Sequence, residues 1–115
     1  MSSEKIQNLA LSVRQPFAEQ IMLGTKKIEY RSIKTNIRGK VYIYASLKPR
    51  IDAYEKMKVE PGTFPAGVII GTVEIVDCKE KGGEYHWVLA NPQQLKKFIK
   101  PETQPQPVWF KPFKE

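Results

Sequence analysis

The sequence predicts an α+β fold, a small mixed β-barrel flanked by two or three short helices. Three observations support this prediction: several short strand-like runs, two short helical patterns between them, and a length of 115 residues. A chain of this length is expected to form one domain, residues 1–115, around a single hydrophobic core. The runs lack the long strand–helix alternation of a doubly wound sheet, so a barrel with helices at its rim fits best.

The first predicted elements are a short strand and a short helix. Residues 9–13 (LALSV) are mostly apolar and predict a strand. Pro16 suits the first turn of a helix, apolar residues follow it at helical spacing, and Gly24 suits the position after the last turn. The pattern therefore predicts a helix over residues 16–23.

An alternating run comes directly after this helix. In residues 26–32 (KKIEYRS), Ile28 and Tyr30 alternate with charged residues, as expected of a half-buried strand. Lys26 falls out of phase with Glu29 and is expected at the turn that precedes the strand.

The middle of the chain predicts two strands with a helix between them. Residues 39–46 (GKVYIYAS) alternate between apolar and more polar side chains, which predicts a strand. Residues 51–60 (IDAYEKMKVE) carry a weak helical stripe that ends before Pro61. Residues 66–80 (AGVIIGTVEIVDCKE) are rich in β-branched residues and predict the best-defined strand of the chain.

The last third of the chain predicts shorter elements. Residues 85–89 (YHWVL) predict a short strand, and residues 91–98 (NPQQLKKF) predict a helical turn. The tail from residue 101 is rich in proline. Within it, residues 108–110 (VWF) predict a last strand at a sheet edge.

The positive charge is concentrated in one quarter of the sequence. The formal net charge is +7, and residues 26–50 contain eight basic residues and one acidic residue. The rest of the chain is therefore neutral in sum. Such a localised basic region indicates an anionic partner, with nucleic acid as the first choice. The alternative is an exposed hairpin whose lysines and arginines serve only solubility.

Several classes of protein are disfavoured by composition. Cys78 is the one cysteine, so no intramolecular disulfide or multi-cysteine metal site is expected, and its free thiol suggests a cytoplasmic location. The polar N-terminus predicts no secretory signal, and the apolar stretch 66–76 is too short and too polar to span a membrane. No phosphate-binding loop or dinucleotide fingerprint is present, so no cofactor and no metal is expected. A monomer is the default.

Aromatic and acidic residues lie among the cations of residues 26–50. Tyr30, Tyr42 and Tyr44 are suited to stack on bases, or alternatively to pack within the barrel. Glu29, next to Lys26 or Arg31, is suited to proton transfer or to accepting hydrogen bonds from a base edge. The alternative for Glu29 is a salt-bridged strand without a chemical role.

The remaining candidate residues favour structural interpretations. Cys78 and His86 are suited to a nucleophilic dyad, but no third orienting group is evident, so a packed cysteine is the better interpretation. Trp87 and Trp109 lie in apolar runs and are expected in the core, with a wall of a ligand cleft as the alternative.

Residues 9–32 (LALSVRQPFAEQIMLGTKKIEYRS) resemble the start of the ASCH domain, a family of the PUA-like superfamily. That family opens with a strand, an S-x-R-Q-P-[FW]-A segment and a helix, followed by the motif G-x-K-x-x-E-x-R. The segments HWVLANP and PVWFKP resemble its closing portion, so the resemblance covers nearly the whole chain. The motif is complete here, as Gly24, Lys26, Glu29 and Arg31.

The resemblance implies a PUA-like barrel with a ligand cleft beside the GTKKIEYR segment. The helix is expected to stop at Gly24 so that Lys26 turns inward. The expected ligand-binding residues are Ser12, Arg14, Gln15, Lys26, Lys27, Glu29, Arg31 and Tyr44.

The superfamily is associated with RNA, so the first functional hypothesis is a domain that binds RNA or a nucleotide-like ligand. The second is a hydrolase that uses Lys26 and Glu29 as catalytic residues, either a ribonuclease or an N4-acetylcytidine amidohydrolase. The similar amidohydrolases have threonine at the position of Glu29 and use a further glutamate, for which Glu74 or Glu84 is the candidate here. The third is a protein-interaction module for an acidic partner, suggested by the proline-rich tail.

Overall fold

The computed structural model describes residues 5–115, so the first part of the polar N-terminus lies outside the described residues. The described chain forms six strands and two helices. In chain order these are β1 (Ala10–Arg14), α1 (Phe17–Leu23), β2 (Ile28–Arg31), β3 (Gly39–Ser46), α2 (Ile51–Met57), β4 (Val68–Lys81), β5 (Glu84–Ile99) and β6 (Trp109–Phe110).

The strands form one mixed sheet in the order β2-β5-β4-β3-β1-β6. β1 and β3 pair in parallel, and the other neighbouring strands pair antiparallel. The sheet curls into a half-barrel, which confirms the predicted α+β fold of PUA-like type. β6 lies at a sheet edge, as the VWF segment predicts.

The main core lies inside the curled sheet, and α1 closes one side of it. Ala18, Ile21 and Met22 of α1 pack onto it at helical spacing. Trp87 is fully buried, as predicted, and its ring stacks on that of half-buried Trp109, with centroids 5.8 Å apart.

Gly71 allows α1 to approach the sheet closely. A β-carbon at Gly71 would overlap Met22 Sδ and the backbone oxygen of Gln93. Because a β-carbon there has no room, the glycine in β4 sets the distance between helix and sheet.

Both helices end at residues with left-handed backbone conformation. Gly24 has φ 82° and its N–H donates to the Ile21 carbonyl, so α1 stops where the sequence predicts. α2 ends sooner than expected, because Lys58 adopts φ 59° and caps it three residues before Pro61.

The predicted helical turn over residues 91–98 is wrong, because this segment continues β5. Asn91 has φ 52° and Pro92 follows it, so the strand bends, and the register with β4 shifts nearby. Beyond the bend, β5 pairs with the first part of β4, and Leu95 and Ile99 pack onto a second apolar cluster. Pairing with an available strand edge therefore outweighs local helical preference.

Candidate functional site

A cleft of about 760 Å³ lies over the side of β1 and β3 that faces away from the main core. Ser12 pairs with Tyr44 and Arg14 with Ser46 across these parallel strands, so alternate residues of both strands form its floor. The cleft is lined by Ser12, Arg14, Phe17, Lys26, Glu29, Tyr30, Arg31, Tyr44, Ser46, Leu47, Lys48, Arg50, Gln104, Pro105, Gln106, Pro107 and Val108.

β2 turns its charged face inward, contrary to the expectation for a half-buried strand. Glu29 is only 6% exposed, whereas Tyr30 is 53% exposed. The inversion is possible because two cations accompany the carboxylate into the buried region. A buried charge without such partners would be strongly unfavourable.

Arg31 anchors Glu29 and joins β2 to β1. Its Nη2 lies 2.7 Å from Glu29 Oε2, and its Nε donates to the same oxygen at 2.8 Å. Nη2 also donates to the backbone oxygen of Ser12 at 2.9 Å, and the guanidinium lies over the Trp87 ring. Arg31 therefore substitutes for strand pairing between β1 and β2, and its Nε and Nη2 donors are both used.

Lys26 occupies the turn between α1 and β2, as its phase in the sequence predicts. Its backbone N–H donates to the Gln20 carbonyl at 3.1 Å, which directs the side chain into the cleft. The ammonium lies 5.0 Å from the ring centroids of both Phe17 and Tyr30, within the range of cation–π attraction. Its position is thus defined by two aromatic faces.

Lys26 and Glu29 form an ion pair without a hydrogen bond. Lys26 Nζ lies 3.5 Å from Glu29 Oε1, and this oxygen is buried without a hydrogen-bond partner within residues 5–115. The same part of the chain offers no acceptor to which the Lys26 ammonium donates. The cleft therefore contains neighbouring donor and acceptor groups with unused hydrogen-bonding capacity.

Ser12 and Arg14 line the cleft, but their polar groups also bind neighbouring backbone. Ser12 Oγ donates to the Gln106 carbonyl at 2.7 Å. Arg14 Nε donates to the Lys48 carbonyl at 2.9 Å, and Nη2 to that of Pro49 at 3.3 Å. Both side chains hold the segments that form the cleft walls.

Tyr44 lies in the cleft floor and is 4% exposed. Its ring packs edge-on against Phe110, with centroids 5.3 Å apart. Burial raises the pKa of the Tyr44 phenol above its ordinary value of 10.0, because the charged phenolate is desolvated.

Two of the predicted ligand-binding residues do not line this cleft. Gln15 is 1% exposed, donates to the Pro65 carbonyl and accepts from the Glu19 N–H, each at 2.9 Å. Lys27 borders a second, smaller cavity of about 270 Å³. The two candidate glutamates, Glu74 and Glu84, also lie outside the cleft lining.

The cleft is also lined by residues that no motif in the sequence indicates. Gln104–Val108, which we call the strap, forms one wall and is fixed to β1 by two hydrogen bonds, Ser12 Oγ to Gln106 O and Ser12 N to Val108 O. The sequence marks the strap only as proline-rich, because its role as a cleft wall arises from tertiary contact. Lys48 and Arg50 belong to the basic region of residues 26–50 but to no recognised motif.

Arg50 forms a further wall and is paired at its outer side. Its guanidinium lies 5.5 Å from the Phe17 ring centroid and donates to both carboxylate oxygens of Asp52, at 3.1 and 3.0 Å. The hydrogen bond from Arg50 lowers the pKa of the exposed Asp52 carboxyl below its ordinary value.

The cleft lining is strongly basic. Five cations face one carboxylate, Glu29, giving a net formal charge of +4. The field of these groups favours an anionic ligand, and the aromatic and proline side chains add apolar surface. The cations are Arg14, Lys26, Arg31, Lys48 and Arg50.

The curled sheet with flanking helices and a basic cleft at the β1–β2 seam defines a PUA-like barrel. The ASCH domain model matches residues 11–102, and the chain belongs to the ASCH domain family.

Two curated relatives carry the name Activating signal cointegrator 1. The human protein is 26% identical over 111 residues, covering 74% of this chain and 19% of the human protein. The mouse protein is 25% identical with the same coverage. The chain thus spans about a fifth of the length of these relatives. Residues 5–115 include no helix long and apolar enough to cross a membrane.

Proposed function

We propose that the protein binds single-stranded RNA or a nucleotide-like ligand in the basic cleft. The observation that carries this proposal is the net charge of +4 on the walls of one bounded cavity. Lysine and arginine side chains are the usual partners of phosphate oxygens. The ASCH family, to which the chain belongs, is generally associated with RNA.

The dimensions of the cleft favour a short unpaired segment. Its volume of about 760 Å³ lies within the range of sites for drug-sized ligands, which corresponds to one or two nucleotides. Double-stranded RNA is recognised across an extended surface by shape, and a duplex does not fit inside such a cavity. We therefore assign the cleft to a terminal or unstacked nucleotide.

Lys26 and Glu29 form the base-reading part of the site in this proposal. The edge of a base presents neighbouring acceptor and donor groups. The Lys26 ammonium offers donors to such an edge, and buried Glu29 Oε1 becomes the matching acceptor when the Lys26 side chain turns from it towards the ligand. The exposed face of Tyr30 provides a stacking surface at the same end of the cleft. Arg31 acts as a positioning residue, because its donors already hold Glu29 and β1.

Lys48, together with Arg14 and Arg50, supplies the phosphate contacts in this arrangement. Lys48 forms no ion pair with a carboxylate of residues 5–115 and is the most available of the lining cations.

The strap lies beyond the matched residues 11–102 yet completes the cleft, so we treat residues 1–115 as one functional unit. We expect it to act as a cytoplasmic monomer.

Adjacent lysines provide the sharpest test. Lys26→Met and Lys27→Met each remove one charge, but only Lys26 lines the cleft. We expect Lys26→Met to weaken binding of an unpaired RNA, followed by fluorescence anisotropy, by about ten-fold, and Lys27→Met by about two-fold. Equal losses of RNA affinity in the two variants would show that the cleft is not the binding site.

Salt and strandedness provide the controls. Binding to the wild-type protein should weaken as salt rises, and a duplex of the same sequence should bind more weakly than the single strand. Salt-independent retention, or the absence of any RNA binding, would overturn the proposal.

A hydrolase is the second candidate, because Lys26 Nζ lies 3.5 Å from Glu29 Oε1 inside a partly enclosed cavity. In this alternative Lys26 activates a water that attacks the acyl carbon of the substrate, the carbon–nitrogen bond breaks, and Glu29 carries the proton of the water to the leaving amine. Incubation with N4-acetylcytidine, and separately with labelled RNA, followed by chromatography tests it. Product that forms with the wild type and is lost in Lys26→Met would establish the enzyme. The strap, which is part of the proline-rich tail that suggested an acidic protein partner, forms a wall of the cleft.

A further inference from the structure

The C-terminal part of the chain contains a second basic region, which is not evident from the net charge of the whole sequence. Residues 93–115 contain five lysines and two glutamates, a net charge of +3, whereas residues 51–92 have a net charge of −3. The two regions cancel in the sequence but not in space. α2 and the β4–β5 hairpin hold much of the acidic charge, and the basic charge begins beyond the bend in β5.

Exposed lysines lie beside an exposed aromatic residue in the sequence at the end of β5. Phe98 is 43% exposed, and its three lysine neighbours are also exposed. None of these lysines forms an ion pair with a carboxylate of residues 5–115. Leu95 and Ile99 hold this part of the strand against the second apolar cluster. We call the exposed group Lys96, Lys97, Phe98 and Lys100 the basic ridge.

The basic ridge is close to the cleft along the chain. Lys100 is separated from Gln104, the first residue of the strap, by three residues, so their α-carbons lie at most about 14 Å apart. About four stacked nucleotides span that distance. The base of the strap is held by hydrogen bonds from the Glu102 N–H to Pro112 O and from Thr103 Oγ1 to Lys111 O.

We propose that the basic ridge is a second binding site for single-stranded RNA, which takes up a strand that leaves the cleft across the strap. This inference rests on the proposed function and extends it, because the cleft itself has room for only one or two nucleotides. The lysines bind phosphates and the Phe98 ring stacks on a base, a combination found in sequence-tolerant single-strand binding. The preferred ligand is therefore a longer unpaired RNA strand rather than a free nucleotide.

The test compares two RNA lengths, a trinucleotide and an unpaired strand of about 12 nucleotides. Binding of both is measured by fluorescence anisotropy over a series of salt concentrations. The ridge variant carries Lys96→Ala, Lys97→Ala and Lys100→Ala. The matched control removes three exposed lysines elsewhere through Lys56→Ala, Lys79→Ala and Lys81→Ala.

We expect the ridge variant to bind the longer strand about ten-fold more weakly and the trinucleotide within about two-fold of the wild type. For the ridge variant, the slope of log K against log salt should be smaller in magnitude by about 2, because three single-strand phosphate contacts are lost. Phe98→Ala should weaken the longer strand about five-fold without changing that slope. Thermal unfolding of each variant verifies the fold.

Two results would overturn the inference. One is an equal loss in the ridge variant and in the matched control, which would reflect net charge alone. The other is the same affinity change for both RNA lengths. If the trinucleotide still requires Lys26 in either case, only the ridge is refuted. If the wild type binds neither RNA, the proposed function fails as well.

Discussion

The two faces of the β1–β3 pair lie in different environments although they belong to the same strands. Leu11, Val13 and Ile43 point into the main core, where each is at most 1% exposed. Ser12 and Tyr44, the alternate residues, line the cleft. One backbone therefore serves both stability and the candidate binding site, and the period-2 alternation of side chains keeps them separate.

The largest expected effect is on the core side of this pair. Ile43→Ala should lower the free energy of unfolding by about 2 to 5 kcal/mol, because it removes buried methyl groups and leaves a cavity. Ser46→Ala, on the cleft side of the same strand, should change it by less than about 0.5 kcal/mol. Urea unfolding measures both. Comparable losses would show that the two faces are not energetically distinct.

An intermediate effect is expected at the contact between β1 and β2, where Arg31 donates to the backbone oxygen of Ser12. Arg31→Met should lower the free energy of unfolding by about 2 kcal/mol, because buried Glu29 Oε2 loses both of its donors. Adding Glu29→Met should recover part of this loss, giving a coupling energy of about 1 kcal/mol in a double-mutant cycle. Additive effects would mean that the ion pair between Arg31 and Glu29 does not stabilise the contact between β1 and β2.

The smallest effect concerns the titration of Tyr44 in the cleft floor. Its phenol should ionise at a higher pH than a free tyrosine, since burial raises its pKa above 10.0. Unfolded Tyr44 loses its proton first, so stability should fall as pH rises through 10.0 towards the folded pKa. Ultraviolet absorbance shows the ionisation. Tyr44→Phe should remove the late-ionising phase, and a phase that persists would belong to another tyrosine.

Strands with clear alternation and helices with clear ends were predictable from the sequence. The β-branched run of β4 and the glycine stop of α1 at Gly24 both correspond to observed elements. The segment after Asn91 was not predictable, because its helical composition is overridden by pairing with the start of β4, more than twenty residues earlier. Such non-local pairing leaves no mark in a short window of sequence.

The candidate cleft was predictable only in part. The motif residues Lys26, Glu29 and Arg31 do come together, but the inward orientation of Glu29 contradicts the polarity of its strand. That orientation depends on cations supplied by a turn and by the strand itself. The strap was not foreseen, because hydrogen bonds from Ser12 to a segment more than ninety residues away place it.

The stacked tryptophans give the molecule an optical property of its own. The Trp87 and Trp109 ring planes are 9° apart, so two identical chromophores lie nearly parallel at short range. Electronic transitions in such a pair couple at this distance, so the far-ultraviolet circular dichroism should change when either tryptophan is replaced by phenylalanine. Trp109 directly follows the strap, and the Arg31 guanidinium covers Trp87. This exciton signal therefore reports on the cleft without an attached dye.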